Sequence, residues 1–281
     1  MLHSTRGRMD SHDRRARAEF GPVWEPFLKA SDQTLLVISN PPVYRFSNSI
    51  DPDVVIKKSV GLSEEEARNL ANALKDKFVM RHNRVPRLVL SPDDYTGMGE
   101  AIGLYRITDL FRSTGRGFLL KQSRTATAED LKNHNVILLG SVWSNEWSGR
   151  LPIEEDFVYS GNATIENRRP LAGEVAEYRP EYNPNSGELI ADYALVTVKP
   201  NISYEDTVMV LAGVLSEGTE AAVEYVTSKN YLNDLNQRLR QAGGPSGPPR
   251  YYQALLHVGV ENGIPTTVSL VALHELRVTR D

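Results

Sequence analysis

Val136-Ile137-Leu138-Leu139, between Asn135 and Gly140-Ser141, is the stretch that most restricts what this chain can fold into. Four consecutive apolar residues leave no polar face, so a strand made from them must be covered on both sides. Two other runs have the same character. Thr34-Leu35-Leu36-Val37-Ile38 ends at Ser39-Asn40-Pro41-Pro42, where the prolines stop the strand, and Thr207 to Gly213 is apolar almost throughout. Strands of this kind belong to a sheet sandwiched between two layers.

The segments between these strands carry helical signals. Ser63-Glu64-Glu65-Glu66 reads as a capping box, with Ala67, Leu70, Ala71, Leu74 and Phe78 at helical spacing behind it. Gly97-Met98-Gly99-Glu100 opens a helix to about Gly115, Phe118-Leu119-Leu120 makes a strand, and Thr127-Ala128-Glu129-Asp130 caps a short helix. Asp192 to Val198 returns to the sheet, Ser216-Glu217-Gly218-Thr219 opens a helix through Val226, and Asn230 to Gln241 forms another with Leu232, Leu235 and Leu239 on one face. Tyr251–Val260 and Thr267–Leu276, joined by Glu261-Asn262-Gly263, predict an antiparallel hairpin. The expected fold is α/β: a Rossmann-like three-layer sandwich with a mainly parallel central sheet and a C-terminal antiparallel hairpin.

Two segments depart from that rhythm. Residues 1–19, with Arg6, Arg8, Arg14, Arg15 and Arg17, read as a flexible basic arm. Residues 20–281 read as a single α/β domain whose short helix from Phe20 to Leu28 packs its aromatics. Within it, 150–190 is an irregular β-rich excursion of short antiparallel strands, placed as a flap over the ligand crevice.

Composition narrows the function classes. The 281 residues include no cysteine, which excludes disulfides, thiolate nucleophiles and cysteine metal sites. A net charge of -4 and a pI of about 5.9 argue against binding nucleic acid through a broad basic surface. No apolar run approaches the ~20 residues needed to cross a bilayer, and a cytoplasmic location is expected if the chain is complete. The six histidines show no H-E-x-x-H pattern and no i, i+4 pair, so neither a metal nor another cofactor is expected. His257 and His274 are placed to face each other across the final hairpin. No G-x-S-x-G elbow is present.

In open α/β sheets, ligands bind outside the carboxyl ends of the strands. The loops after Ile38, Leu139 and Val214 would bring together Asn40, Ser141, Ser144, Asn145, Ser216, Gly218, Thr219 and Glu220, walled by Trp143 or Trp147. These are mostly short neutral donors and acceptors, suited to a small uncharged polar ligand or a sugar hydroxyl. Asn145 leads, because its amide both donates and accepts and no obvious turn requires it. Gly213 to Glu220 is the strongest phosphate-like signal, a buried strand running into a glycine-containing helix start. It lacks the Gly-Lys-Ser/Thr end of a Walker A loop and the G-x-G-x-x-G spacing, and Glu217 and Glu220 put negative charge where a phosphate would lie. The plainer alternative is that Thr219 or Ser216 only caps the helix. Gly97 to Glu100 is a weaker candidate of the same kind.

Four of these stretches together resemble a family of largely uncharacterised acidobacterial proteins, some of which carry a winged-helix regulator domain ahead of this region. They are Trp24-Glu25-Pro26-Phe27-Leu28, the Val136–Trp147 strand and Asn-x-Trp loop, the Gly213–Ala222 turn with its Gly-Thr-x-Ala-Ala helix start, and the closing Tyr252–His274 hairpin. The likeness runs from about Phe20 onward. It implies a sensor or output module of regulatory proteins and carries over no catalytic residue. This chain lacks the winged helix, which weighs against a direct transcriptional role.

The function expected from residues and resemblance is a small-molecule-sensing or regulatory interaction module without catalysis. The alternative is an enzyme acting on a nucleotide or nucleoside N-glycosidic bond, with Glu217 or Glu220 as the catalytic carboxylate and Asn145 orienting the sugar. The oligomeric state stays open.

Overall fold

The computed structural model describes residues 20–29, 33–47, 87–91 and 95–278. The basic arm and the Ser63–Phe78 helix lie outside the described residues. The chain divides into two compact units, one of Met1–Ser39 with Thr96–Asp281 and one of Asn40–Tyr95, inside the span that the sequence suggests is one domain. In the second unit, β2 (Val43–Ser47) pairs antiparallel with β3 (Arg87–Ser91).

In the first unit, helix α1 (residues 20–29) precedes β1 (Thr34–Ile38). Helix α2 (Met98–Ser113), β4 (Phe118–Gln122), the short helix α3 (Ala128–Lys132) and β5 (Val136–Leu139) follow. Then come β6 (Phe157–Ser160), β7 (Thr164–Asn167), β8 (Glu177–Tyr178), β9 (Glu181–Tyr182), β10 (Leu189–Pro200) and β11 (Thr207–Gly213). Helices α4 (Ser216–Thr227) and α5 (Lys229–Gly243) lead to the closing strands β12 (Tyr252–Glu261) and β13 (Ile264–Glu275).

The central sheet runs β13-β12-β10-β11-β5-β1-β4, with β9 added to β10. One half, β4-β1-β5-β11, is parallel throughout, in the register Leu36↔Leu120, Leu36↔Ile137 and Met209↔Ile137. The other half is antiparallel, from β11·β10 through β10·β12 to β12·β13. The parallel half is where the continuous apolar runs lie, and the side-chain alternation explains them. Leu36, Ile137, Leu139, Met209 and Leu211 enter a core with α1, α2, α4 and α5. Leu35, Val37, Val136, Leu138, Val208 and Val210 enter a second core on the other face, with Leu131 of α3 and Trp147. Each such side chain stabilises the fold by roughly 1.5–3 kcal/mol.

The excursion at 150–190 forms a three-stranded antiparallel sheet, β6-β7-β8. It is not a flap. Phe157, Ile165 and Tyr178 pack with Leu195 of β10 and Leu255 of β12, so the small sheet is the third layer over the antiparallel half.

Local signals behave as their chemistry dictates. Thr127 caps α3, accepting from the Asp130 N–H while Asp130 returns its carboxylate to the Thr127 N–H, a full capping box. Asn262 and Gly263 both hold positive φ, 53° and 74°, the conformation a two-residue hairpin turn needs. Trp24, fully buried on α1, donates its Nε1–H to the Val226 carbonyl at 2.5 Å. His257 and His274 do not face each other: the register sets His257 against Ser269 and His274 against Gln253. No helix among the described residues is long and apolar enough to cross a membrane.

Candidate functional site

Because β1, β5 and β11 are parallel and adjacent, their carboxyl ends share one sheet edge, where Ile38, Leu139 and Leu211 align. After β1 the first unit resumes in α2, on the face of the larger core, while β5 runs into a loop whose Trp147 packs on the opposite face. The carboxyl edge of adjacent parallel strands is the usual ligand position in open α/β sheets.

The loop after β5 is held together by the residues expected to bind. Asn145 is fully buried, and its Nδ2 donates to the carbonyls of Val37 at 3.2 Å and Leu139 at 3.0 Å. Its Oδ1 accepts the Trp147 N–H at 3.3 Å. All of the amide's directed groups are therefore engaged by the protein's own backbone: Asn145 clamps the ends of β1 and β5 and caps the turn Glu146–Gly149. This corrects the expectation that no turn requires it. Ser141 is buried, and its carbonyl accepts the N–H groups of Ser144 and Asn145. Trp147 is buried, donating Nε1–H to the Ser123 carbonyl at 2.8 Å. Trp143 is the exposed tryptophan, edge-on to Tyr159 with ring centroids 5.4 Å apart.

The helix start after β11 is closed as well. The Asp192 side chain, fully buried on β10, accepts the N–H groups of Leu215 at 3.0 Å and Gly218 at 2.8 Å through one oxygen and that of Tyr193 through the other. A carboxylate already occupies the position an external anion would take. Gly218 makes the approach feasible, since a Cβ there would overlap Asp192 Oδ2. Burial pushes the Asp192 carboxyl up to about 6, against the pull of these three N–H groups, and Glu217 adds to the rise. Thr219 accepts the Gly213 N–H at 2.9 Å and Ser216 accepts the Gly99 N–H at 2.8 Å, so neither hydroxyl caps α4 itself. Glu220 is half-buried beside the α2 contact; burial pushes its carboxyl up, Arg106 opposes that, and Glu224 and Glu217 reinforce it. Asn40, buried, belongs to the second unit.

The stretch that sequence reasoning ranked low, Gly97 to Glu100, holds Glu100, only 5% exposed in the first turn of α2. Its Oε1 accepts the hydroxyl of Ser39, just past β1, at 3.0 Å and that of Ser144, in the loop after β5, at 3.4 Å. Its Oε2 folds back over Gly97, where a Cβ would overlap it. The carboxylate thus sits between the carboxyl ends of β1 and β5 at the positive end of α2, where the helix dipole favours negative charge. The Gly97-x-Gly99-Glu100 pattern did carry a signal. One glycine clears space for this carboxylate, and the other brings α2 against the Ser216 backbone. Of the predicted residues, Ser144 is the one that joins it.

A buried carboxylate with serine donors can accept a hydroxyl or ammonium hydrogen, and when protonated it can donate. The described histidines lie elsewhere. His134 contacts the Asp130 carbonyl at α3, His257 packs on Tyr193, and His274 is buried between Asp156 at 2.9 Å and Glu174 at 3.0 Å. Among the described residues no group of acidic and histidine side chains is arranged to hold a metal. Comparison with protein-family models, curated proteins and solved structures gives no match to this chain.

Proposed function

We propose that the chain is a small-molecule-sensing module whose ligand, a neutral polyhydroxylated molecule such as a sugar or nucleoside, binds at the crevice between β1 and β5. One observation carries the reading: the buried Glu100 carboxylate accepts hydroxyls from Ser39 and Ser144 at that crevice. Side-chain hydroxyls can turn away and be replaced by a ligand hydroxyl at little cost, unlike backbone donors. Ser144 is half-buried, and its loop leads to the exposed Val142 and Trp143, an apolar rim on which a sugar face or a base can rest. The regulatory role itself rests on the resemblance.

The test is a thermal-shift and calorimetric screen of the full chain against neutral sugars and nucleosides. A ligand at 100 times its dissociation constant should add ~2.7 kcal/mol of stability, and Glu100→Ala should abolish the gain. A ligand that stabilises wild type and Glu100→Ala equally would remove the site from this crevice.

The same carboxylate favours a second reading, cleavage of a nucleoside N-glycosidic bond. Glu100, rather than Glu217 or Glu220, would then be the acting carboxylate, since Asn145 is engaged by backbone and Glu220 faces the α2–α4 contact. Release of free base from nucleosides, lost in Glu100→Gln, separates catalysis from binding.

A further inference from the structure

A second hollow, of about 310 Å³, lies at the far end of α2 from Glu100, between that helix, Phe20 of α1 and the junction of α4 with α5. The α2 residues that line it run from Tyr105 to Ser113, so the hollow lies roughly 8–20 Å along the helix from Glu100 at 1.5 Å per residue. Its apolar wall is Phe20, Leu110 and Leu232, and its cationic wall is Arg106 and Lys229. Asp109 also lines it, but that carboxylate is paired with Arg112 at 3.1 Å. Arg106 makes a loose contact with Glu224 at 3.5 Å, and Lys229 is exposed with no ion pair to any described residue.

We propose that this hollow binds a small amphipathic monocarboxylate. The apolar body rests on Phe20, Leu110 and Leu232, and the carboxylate lies between Lys229 and Arg106. The start of α5 supports the same sign of charge: its first turn holds no acidic residue, and the Ser228 side chain takes none of the helix N–H groups. A volume at the lower end of the ~300–1,000 Å³ range of small-molecule pockets suits one or two fused rings and not a dinucleotide. Asp109 on the same wall disfavours a phosphate dianion, so a single carboxylate is the better match.

Calorimetric titration of the full chain with naphthalene-1-acetate and with its neutral primary amide tests this. The acid should bind at least fivefold more tightly than the amide. Lys229→Met and Arg106→Met should each remove most of that preference while leaving binding of the amide unchanged. Both positions are on the helix surface and should leave the melting temperature close to that of wild type, which far-UV circular dichroism checks. Equal binding of acid and amide, or no binding of either at millimolar concentration, overturns the proposal. So does acid binding that survives both substitutions but disappears in Glu100→Ala, since it would then belong to the other site.

Discussion

Two helices begin at the same edge of the central sheet, and each has a carboxylate and a glycine at its start. At α4, Asp192 arrives from β10 and Gly218 makes room for it; at α2, Glu100 comes from the helix's own first turn and Gly97 makes room. In both, the helix dipole favours the negative charge. The partners differ. Asp192 accepts three backbone N–H groups, and two of them, from Leu215 and Gly218, cannot leave without unwinding the start of α4, whereas Glu100 accepts two serine hydroxyls, which can rotate. A glycine-rich strand-to-helix turn is thus no guide to an anion site until its N–H groups have been traced to their acceptors. The α4 turn is a closed structural joint, and the α2 start is the place with exchangeable chemistry.

Breaking the closed joint should have the largest effect. Asp192→Ala leaves the Leu215 and Gly218 N–H groups buried without acceptors, and a loss of about 3 kcal/mol in urea unfolding is expected. Asp192→Asn keeps one acceptor oxygen and should lose less. The two states also titrate differently, since the Asp192 carboxyl moves from an ordinary value of 3.8 to about 6 on folding. The folded state therefore holds this proton more tightly. The group's favourable contribution is complete below about pH 3.8 and is lost as pH rises through about 6, by at most about 3 kcal/mol. The stability difference between wild type and Asp192→Asn should accordingly shift against wild type between pH 4 and pH 7. A difference that stays constant across that range would mean the carboxyl is not destabilised by burial.

Asn145→Ala should come next. It removes donors to two strand-end carbonyls and the acceptor of the Trp147 N–H, and a loss of about 2 kcal/mol of stability is expected. Any effect on ligand binding should follow from loosening of the loop. An Asn145→Ala protein with wild-type stability and weakened binding would restore Asn145 as a ligand contact.

The sequence made much of this architecture legible and little of the site, for a physical reason. Val136 to Leu139, Leu35 to Ile38 and Val208 to Ala212 announce two-sided burial by composition alone. Thr127 with Asp130, and Asn262 with Gly263, are local motifs whose partners lie within three residues. The crevice depends on contacts with no local trace. Asp192 meets Gly218 across 26 residues, and Glu100 meets Ser39 and Ser144 across 61 and 44. A carboxylate in a helix's first turn also reads as an ordinary dipole partner, so nothing in the string marks Glu100 as buried. The antiparallel half was legible only at its last hairpin, because an apolar strand such as Ala194 to Val198 has the same composition in either direction.

The smallest effects sharpen the Glu100 site from within. Ser39 is fully buried and donates at 3.0 Å, while Ser144 is half-buried and donates at 3.4 Å. Removing the Ser39 hydroxyl leaves a buried acceptor short of a partner, so Ser39→Ala should cost about 1 kcal/mol of stability. Ser144→Ala should cost about 0.5 kcal/mol or less, because water can replace a half-exposed donor. Ligand affinity should rank the two the other way. If a ligand hydroxyl displaces the more accessible serine, Ser144→Ala removes a competitor for the Glu100 oxygen and leaves binding unchanged or slightly tighter. Ser39→Ala removes a group that holds the carboxylate in place, and binding should weaken. Titrating both variants with any neutral sugar or nucleoside that stabilises the wild type decides the matter. Weaker binding in Ser144→Ala than in Ser39→Ala would mean that Ser144 itself grips the ligand and that the hydroxyl-exchange picture is wrong.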